Sequence, residues 1–177
     1  MIYTCAIDTP LGTMTAASKE EVLVGLWFIG QKYYPSETEK WIHEPDRPVF
    51  ASTRDYLERY FSGSPGAPHV PLDPQGSPFQ KTVWEILSTI PTGQVATYGQ
   101  IAKQTAHRLG KTSIPAQAVG GAVAHNPISI LIPCHRVIGA DGSLTGYAGG
   151  LDRKAALLRI EKANLSAGVS FRPRRSL

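Results

Sequence analysis

The length, composition and charge of the chain describe an ordinary globular protein with its basic residues concentrated in one half. It has 177 residues, 42% of them hydrophobic, and no apolar run approaches the roughly eighteen residues of a membrane helix, so we expect no membrane segment. Residues 1–77 carry six Lys and Arg against ten Asp and Glu, and residues 78–177 carry twelve against four. The net charge of +4 therefore hides a strongly basic second half, which indicates a polyanionic partner unless it is only a solvated surface.

The first half of the chain predicts a small α/β domain. Alternating and β-branched residues predict three strands, and an amphipathic pattern predicts one helix. These elements lie over residues 2–7, 13–17, 22–28 and 50–61. A stretch rich in Pro and Gly then runs through residues 62–78 and does not suit a regular element. We place the domain boundary there, with one domain over residues 1–77 and another over residues 78–177.

The second half predicts a mainly helical domain. Ser77 and Pro78 have the residue types of a helix cap and a first helical position. Thr97 and Gln100 have the spacing of a capping box, so another helix should begin near residue 98. The apolar spacing over residues 151–162 predicts a final helix.

A pair of short helices in this domain has the pattern of a helix-turn-helix. A turn around Gly110 follows the first of them, and we expect the second over residues 114–125, capped by Ser113. This second helix holds mostly Ala and Gly, and each residue of Gly120-Gly121 costs about 1 kcal/mol relative to Ala. Such small side chains favour either close packing against a neighbouring helix or a slim face that can enter a groove of DNA.

The residue types of Pro133-Cys134-His135-Arg136 point to chemistry. A cysteine is a nucleophile as its thiolate, and its usual pKa of about 8.5 falls when a cation or an imidazole lies beside the thiol. Both follow Cys134 directly in the sequence, so we expect a lowered thiol pKa. Cys5 lies in a predicted strand and is expected to be a buried, inert thiol.

A carboxylate is expected to orient His135, because an acid that steadies the imidazole helps a Cys-His pair to form a nucleophile. Glu161 lies at the edge of the apolar stripe of the final helix, where it needs a partner. Asp141 and Asp152 remain open candidates for the same role. The sequence lacks paired metal-ligand spacings, a phosphate-binding loop and a dinucleotide motif, so we expect neither a metal nor a cofactor.

Four short segments carry a resemblance to a known family. They are Asn126-Pro127, Pro133-Cys134-His135-Arg136-Val137, Gly146-Tyr147-Ala148-Gly149-Gly150 and Leu157-Leu158-Arg159-Ile160-Glu161. Over roughly residues 78–163 the chain resembles the O6-alkylguanine-DNA alkyltransferases. That family joins a small ribonuclease-H-like α/β N-terminal domain to a mainly helical domain with a winged helix-turn-helix. The resemblance implies this α/β fold class.

The resemblance also implies an activity and a role for each site residue. The implied activity is a single, irreversible transfer of the alkyl group of O6-alkylguanine, with O4-alkylthymine as a further candidate, from a base flipped out of duplex DNA to Cys134. His135 would be the general base through a water, Glu161 would orient it, and Asn126 would brace the turn. The implied substrate-binding residues are Tyr98, Val123, Val137, Tyr147 and Ala148. The implied DNA-binding residues are Ala116, Gln117, Ala118, Gly120 and Arg136.

One position departs from the family pattern. In many relatives an arginine fills the gap left by the flipped base, and Gln117 stands in its place here. A glutamine side chain can still stack and form hydrogen bonds, but it lacks the positive charge of arginine. The structural zinc of some relatives is not expected either, because Cys5 lacks the Cys and His partners that would complete its site.

Three other functions remain open from the sequence. A helix-turn-helix regulator without transferase activity would want long side chains over residues 114–125, which offer almost none. A non-catalytic relative that flags lesions would lack Cys134, and a cysteine hydrolase would turn over repeatedly. We expect the partner to be double-stranded DNA with alkylated bases, and the protein to be a monomer without an obligate protein partner. The two cysteines and the absence of a secretory signal indicate a reducing compartment, cytoplasmic, or nuclear in a eukaryote.

Overall fold

The structure, a computed structural model, describes residues 1–163 and divides into two compact units. The first unit comprises Met1–Gln75 together with Pro127–Ser129. The second comprises Gly76–Asn126 and, within the described residues, residues 130–163. Among the helices of residues 1–163, none combines the length and the apolar character that spanning a bilayer requires.

The first unit is a four-stranded sheet packed against one helix. Its elements are β1 (Tyr3–Thr9), β2 (Gly12–Lys19), β3 (Val22–Phe28), β4 (Ile42–His43) and α1 (Pro48–Phe61). The strand order is β3-β2-β1-β4, with antiparallel pairing between β1, β2 and β3 and parallel pairing between β1 and β4. These elements confirm the three predicted strands and the predicted helix, with ends that differ by at most two residues.

The outer edge of β3 is covered by two short segments of the same unit. Leu23 N donates to Pro71 O at 2.9 Å, and Leu26 N donates to Pro127 O at 2.8 Å. An uncovered strand edge would offer unpaired backbone groups to another chain. The segment Pro127–Ser129 therefore serves as edge pairing for this sheet.

Up to residue 163, the second unit is built from four α-helices, one 3₁₀ turn and a two-residue ladder. Its elements are α2 (Pro78–Leu87), β5 (Ala96–Thr97), α3 (Tyr98–Leu109), α4 (Ala116–Ala124), β6 (Val137–Ile138) and α5 (Leu151–Ile160). β5 and β6 pair in parallel. Trp84 is buried at its centre and donates from Nε1 to Ala122 O at 2.9 Å, which ties α2 to α4.

The predicted starts of α2 and α3 are confirmed by complete capping boxes. The Ser77 hydroxyl accepts from Gln80 N while the Gln80 side chain accepts from Ser77 N. Thr97 and Gln100 make the same reciprocal pair at the start of α3. Each box satisfies two donors that a helix terminus would otherwise leave open.

The predicted boundaries of α4 and α5 need correction. α4 begins at Ala116 with Pro115 as its cap, so the predicted cap at Ser113 is wrong. Ile114 precedes a proline, which disfavours the helical conformation at that residue. α5 ends at Ile160, two residues before its predicted end, and Leu151 at its first position is half exposed.

Candidate active site

Cys134 lies in a turn that two neighbouring segments hold in place. It opens a single 3₁₀ turn, Cys134–Arg136, that leads directly into β6. On the other side, Asn126 follows α4 and donates from Nδ2 to Ile132 O at 2.8 Å. Ile130, between them, has a φ of 73°, a left-handed conformation that is costly for a β-branched residue. The Asn126 bond therefore braces a strained loop immediately before the cysteine.

His135 and Glu161 form a buried pair in the second unit. His135 Nε2 lies 2.6 Å from Glu161 Oε2, and both side chains are almost completely buried. Arg136 donates to the same carboxylate, from Nε to Oε1 at 2.7 Å and from Nη2 to Oε2 at 3.1 Å. One carboxylate thus receives hydrogen bonds from two consecutive residues of the 3₁₀ turn.

The pKa shifts of this pair favour a neutral imidazole on an ionised carboxylate. Burial alone would raise the pKa of Glu161, but the hydrogen bonds and charges of His135 and Arg136 outweigh it and hold that pKa well below its usual range. Burial lowers the pKa of His135, against the opposing effect of Glu161. An ionised Glu161 accepts a hydrogen bond from the Nε2–H of His135, which leaves Nδ1 as the basic nitrogen of the neutral imidazole.

The pKa of the Cys134 thiol is raised, so the predicted direction was wrong. Burial is the dominant cause, and a hydrogen bond from Asn126 and the charge of Lys154 act in the opposite direction. The sequence neighbours do not supply the expected cation because Arg136 turns toward Glu161, Ile90 O and Thr92 Oγ1. The thiol therefore needs a base, or a charge from elsewhere in the fold, to ionise.

Of the predicted substrate-binding residues, Val137 directly follows the cysteine turn, and the Tyr147 ring lies 6.5 Å from the ring of His135. Val123, Val137 and Tyr147 are buried, whereas Tyr98 and Ala148 are partly exposed. Tyr98 donates from its hydroxyl to Thr145 O at 3.0 Å, and burial raises its pKa. Gly146 has a φ of 65°, and a Cβ there would stand 2.9 Å from the Tyr98 hydroxyl. The loop needs glycine at this position to approach Tyr98.

Lys154 is a residue that the sequence analysis missed. It is fully buried and donates from Nζ to Val137 O and, at 2.7 Å, to Thr145 O. Its ammonium lies 5.8 Å from the centre of the Tyr98 ring. Burial lowers the pKa of Lys154 to about 8. A lysine in an amphipathic pattern is normally assigned to the solvent side, so the pattern carried no signal for this placement.

The predicted DNA-binding residues of α4 are exposed, and Arg136 is not. Ala116, Gln117 and Ala118 lie on the surface, and Gly120 is partly buried, where an added Cβ would stand 4.0 Å from the Tyr98 ring. Arg136 is buried with its guanidinium held by Glu161, Ile90 and Thr92. This burial is at odds with the predicted DNA contact of Arg136.

The two alternative partners of His135 lie elsewhere. Asp141 accepts a hydrogen bond from Ser143 N at 3.0 Å, and Asp152 is exposed at the start of α5. Of the three carboxylates, Glu161 is the one that the fold brings to the imidazole. Within the described residues 1–163, no group of three His, Cys, Asp or Glu side chains is arranged to hold a metal ion.

Two family models match the chain, one for each half. The DNA binding domain of 6-O-methylguanine DNA methyltransferase matches residues 78–163, and the ribonuclease-like domain of the same family matches residues 1–74. The methylated-DNA–protein-cysteine methyltransferase of Mycobacterium tuberculosis is 45% identical over 171 residues, covering 97% of this chain and 99% of the relative. The chain belongs to the 6-O-methylguanine DNA methyltransferase family.

Solved structures agree with membership of this family. The crystal structure of Mycobacterium tuberculosis O6-methylguanine methyltransferase matches with a TM-score of 0.81 and 46% identity, covering 92% of this chain and 93% of that one. The structure of Mycobacterium tuberculosis OGT in complex with DNA matches with a TM-score of 0.78 and 43% identity, covering 91% and 92%. These matches confirm the predicted α/β fold class, a small sheet domain followed by a mainly helical one.

Proposed function

We propose that this protein repairs alkylated DNA directly, by moving the alkyl group from O6 of guanine in duplex DNA to the sulfur of Cys134. The buried Cys134, beside a neutral His135 that rests on an ionised Glu161, is the observation that carries the proposal. Membership of the 6-O-methylguanine DNA methyltransferase family supports it. The relative solved in complex with DNA supports duplex DNA as the partner.

The proposed reaction is a displacement at the alkyl carbon. His135 Nδ1, through a water, accepts the thiol proton, and the resulting imidazolium is stabilised by Glu161. The Cys134 sulfur then forms a bond to the alkyl carbon while the bond from that carbon to O6 breaks, and its electron pair stays on the guanine, which takes up a proton. Because the thioether formed on Cys134 does not readily release its alkyl group, each protein molecule reacts once.

The target base must leave the helix before it can react. The alkyl carbon of a stacked base cannot be reached in line by a sulfur, so the base is flipped into the pocket. Tyr98, Val123 and Tyr147 would form the walls of this pocket, and the backbones of Cys134, Val137 and Ala148 would recognise the guanine. O4-alkylthymine is a further candidate lesion for the same pocket.

The exposed face of α4 would approach the duplex. Ala116, Ala118 and Gly120 add little bulk to this face, and Gln117 would occupy the gap left by the flipped base. Arg136 has a structural role in this proposal, because its guanidinium holds the Glu161 carboxylate. Asn126 braces the turn before Cys134.

The division at residues 77 and 78, the monomeric state and the compartment stay predictions. Residues 78–177 would hold the acceptor site and the DNA-binding surface, and residues 1–77 would form the N-terminal α/β domain. A monomer fits a reaction that needs one thiol for each lesion. A cytoplasmic location, or a nuclear one in a eukaryote, fits a protein that depends on a reduced cysteine.

The test is incubation with duplex DNA whose O6-methylguanine carries a labelled methyl group. We expect the label to move to the protein and to stop at one methyl group per molecule, with Cys134→Ser as the unreactive control. A regulator without transferase activity would bind the duplex and take up no label. A hydrolase would release label into solution over many turnovers, and either result would overturn the proposal.

A further inference from the structure

The outer edge of β1 is paired over only part of its length. β4 pairs with Tyr3 and Thr4. Within residues 1–163, no backbone hydrogen bond on this side of β1 lies beyond the one from Glu44 N to Thr4 O, at 3.0 Å. A turn at Pro45 then leads the chain away toward α1. The opposite edge of the sheet, that of β3, is covered by two segments, so the two edges differ.

The alternation of β1 shows which backbone groups stay open. The N–H and C=O of one strand residue point to the same side, and successive residues point to opposite sides. Because Thr4 O faces β4, the N–H and C=O of Ala6 and Asp8 face the same way. Those of Cys5 and Ile7 face β2. In the described part of the chain no segment pairs with the backbone of Ala6 or Asp8 on this outer side, and both residues are exposed. Two donors and two acceptors of a regular strand are therefore available to another chain.

A groove of about 480 Å³ lies beside this open edge, between β1 and α1. It is lined by residues 6–10 on the strand side and by Arg54, Leu57, Glu58 and Phe61 on the helix side. Ile7 and Leu57 are buried, and Phe61 is partly exposed. The groove therefore offers apolar side chains directly beside the unpaired part of the strand, and all of its residues belong to the first unit.

The charges around the groove favour a basic occupant. Asp8 on the strand and Glu58 on the helix are exposed, and within residues 1–163 neither takes part in an ion pair. Asp8 accepts a hydrogen bond from the Thr13 hydroxyl at 2.8 Å, which leaves its charge uncompensated. Arg54, the cation among the lining residues, lies beside Cys5, with Nη1 3.9 Å from the sulfur. Residues 1–77 carry ten Asp and Glu against six Lys and Arg, so the surrounding surface is negative as well.

We propose that the open edge of β1 binds an extended, basic segment of a partner protein as an additional strand of the sheet. The backbone of the segment pairs with Ala6 and Asp8, in the manner of β-strand addition. Because side chains alternate across a strand, every second side chain of the segment faces α1 and the others face the side of Asp8. The first set is apolar and contacts Ile7 and Phe61, and the second set is Lys or Arg and pairs with Asp8.

The first experiment follows the backbone amides of the full-length, ¹⁵N-labelled protein while the synthetic peptide acetyl-Lys-Val-Lys-Val-Lys-amide is added. We expect the Ala6 and Asp8 amides to shift and to exchange with solvent about tenfold more slowly. The amides of Cys5 and Ile7 already bond to β2 and should keep their protection. The charge-reversed peptide acetyl-Glu-Val-Glu-Val-Glu-amide should bind at least about fivefold more weakly. Equal binding of the two peptides, or no change in the amides up to about 5 mM basic peptide, would overturn the proposal.

The second experiment changes the two acidic side chains of the groove. Glu58→Lys and Asp8→Asn should each weaken binding of the basic peptide by about threefold to fivefold. The asparagine keeps an acceptor for the Thr13 hydroxyl, so Asp8→Asn removes the charge and preserves the hydrogen bond. Glu39→Lys makes the same change of charge at an exposed position outside the groove and is the matched control. Equal losses in Glu58→Lys and Glu39→Lys would reduce the effect to net charge and overturn the groove as the binding site.

The third experiment tests the backbone pairing with Ala6→Pro. A proline is accepted in an edge strand where its missing N–H faces solvent, so the sheet should persist, as thermal unfolding can check. Peptide binding should fall by about tenfold, because one hydrogen bond is lost and the proline ring obstructs the edge. Ala6→Ser keeps the N–H and should bind like the wild type. Unchanged binding in a folded Ala6→Pro would overturn strand addition, and if that variant does not fold, the amide exchange of the wild type decides the same point.

Sedimentation of the protein without peptide separates a second copy of this chain from a basic partner. We expect a single species whose mass does not depend on concentration. A dimer that forms as the concentration rises and is lost in Ala6→Pro would assign the open edge of β1 to self-association and overturn the basic partner.

Discussion

Cys5 and Cys134 are both buried thiols whose pKa is raised by burial, yet the fold gives them different surroundings. Cys5 lies in β1 and has a cation nearby, since Arg54 Nη1 is 3.9 Å from its sulfur. Cys134 lies in a 3₁₀ turn, where Asn126 and Lys154 favour its thiolate. A single neighbouring cation therefore does not distinguish a reactive thiol from an inert one.

The difference lies in what surrounds each sulfur and in how the backbone presents it. The Cys5 side chain is fixed by the regular alternation of β1, on the same face as Ile7. Cys134 adjoins a neutral imidazole on an ionised carboxylate and a loop whose Gly146 approaches Tyr98 closely. A nucleophile here requires a proton acceptor and space for a substrate in addition to a favourable charge.

The largest expected effect separates the two cysteines directly. Cys134→Ser should take up no methyl group from O6-methylguanine DNA, because the serine hydroxyl does not ionise in this site, and it should still bind DNA. Cys5→Ser should react at the wild-type rate, since its thiol lies in the sheet of the first unit. Mass spectrometry of digested protein after reaction locates the adduct. A methyl group on Cys5 would contradict the assignment.

The next effect tests whether the Glu161 carboxylate is needed for the reactivity of Cys134. Glu161→Gln should slow methyl transfer about 100-fold, as expected for loss of a base's support, with DNA affinity close to normal. It should also lower the free energy of unfolding by about 3 kcal/mol, because Arg136 keeps a buried charge without its partner. Single-turnover kinetics and urea unfolding measure the two effects. Asp152→Asn, at an exposed carboxylate of α5, is the matched control.

The lowered pKa of Glu161 predicts how the free energy of unfolding depends on pH. The Glu161 pKa is held below its usual range, so its contribution is complete above the unfolded-state pKa, about 4.3, and is lost as the pH falls toward the lowered value. The wild-type free energy of unfolding should therefore fall between about pH 5 and pH 3, and Glu161→Gln should lack part of that fall. Identical slopes in the two proteins would show that Glu161 titrates normally.

A smaller effect is expected on the salt dependence of DNA binding when exposed lysines of either unit are replaced. Lys103 in α3 and Lys111 just after α3 are exposed in the second unit, whereas Lys19 and Lys32 are exposed in the first. Each lost phosphate contact should reduce the slope of log K against log salt by about 0.9. The double change of Lys103 and Lys111 to Gln should reduce the slope by about 1.8. The matched double change of Lys19 and Lys32 should leave it unchanged, and equal effects would remove the contrast between the units.

The smallest effect concerns Gln117, where the chain departs from the family pattern. Gln117→Arg should speed transfer from duplex DNA by about twofold to fivefold, since a guanidinium adds charge and stacking to the vacated position. Reaction with free O6-methylguanine should be unchanged because no flipping is needed. Gln117→Ala should slow the duplex reaction alone. Equal effects on duplex and free base would place residue 117 in the pocket and not in the flipping step.

The parts of the fold that were predicted are those that depend on local interactions. The capping boxes of Ser77 and Thr97 each join residues three apart, so their spacing was sufficient to start α2 and α3 correctly. The sequence left three carboxylates as possible partners of His135. The apolar pattern of α5 placed Glu161 at the edge of the helix but gave no distance between its carboxylate and the imidazole. The cap of α4 was misplaced because Pro115 restricts the residue before it.

The sequence by itself determined the order of the first three strands and of the α-helices, the concentration of positive charge in one half and the chemical character of the Cys134 segment, since these follow from residue type and spacing. The tertiary structure decided the electrostatics of the site. Burial raises the pKa of the Cys134 thiol, which its sequence neighbours were expected to lower. The fold also buries Arg136 and brings the Lys154 ammonium to within 5.8 Å of the centre of the Tyr98 ring. Desolvation and charge interactions depend on distances between residues far apart in the chain, and only the folded backbone sets those distances.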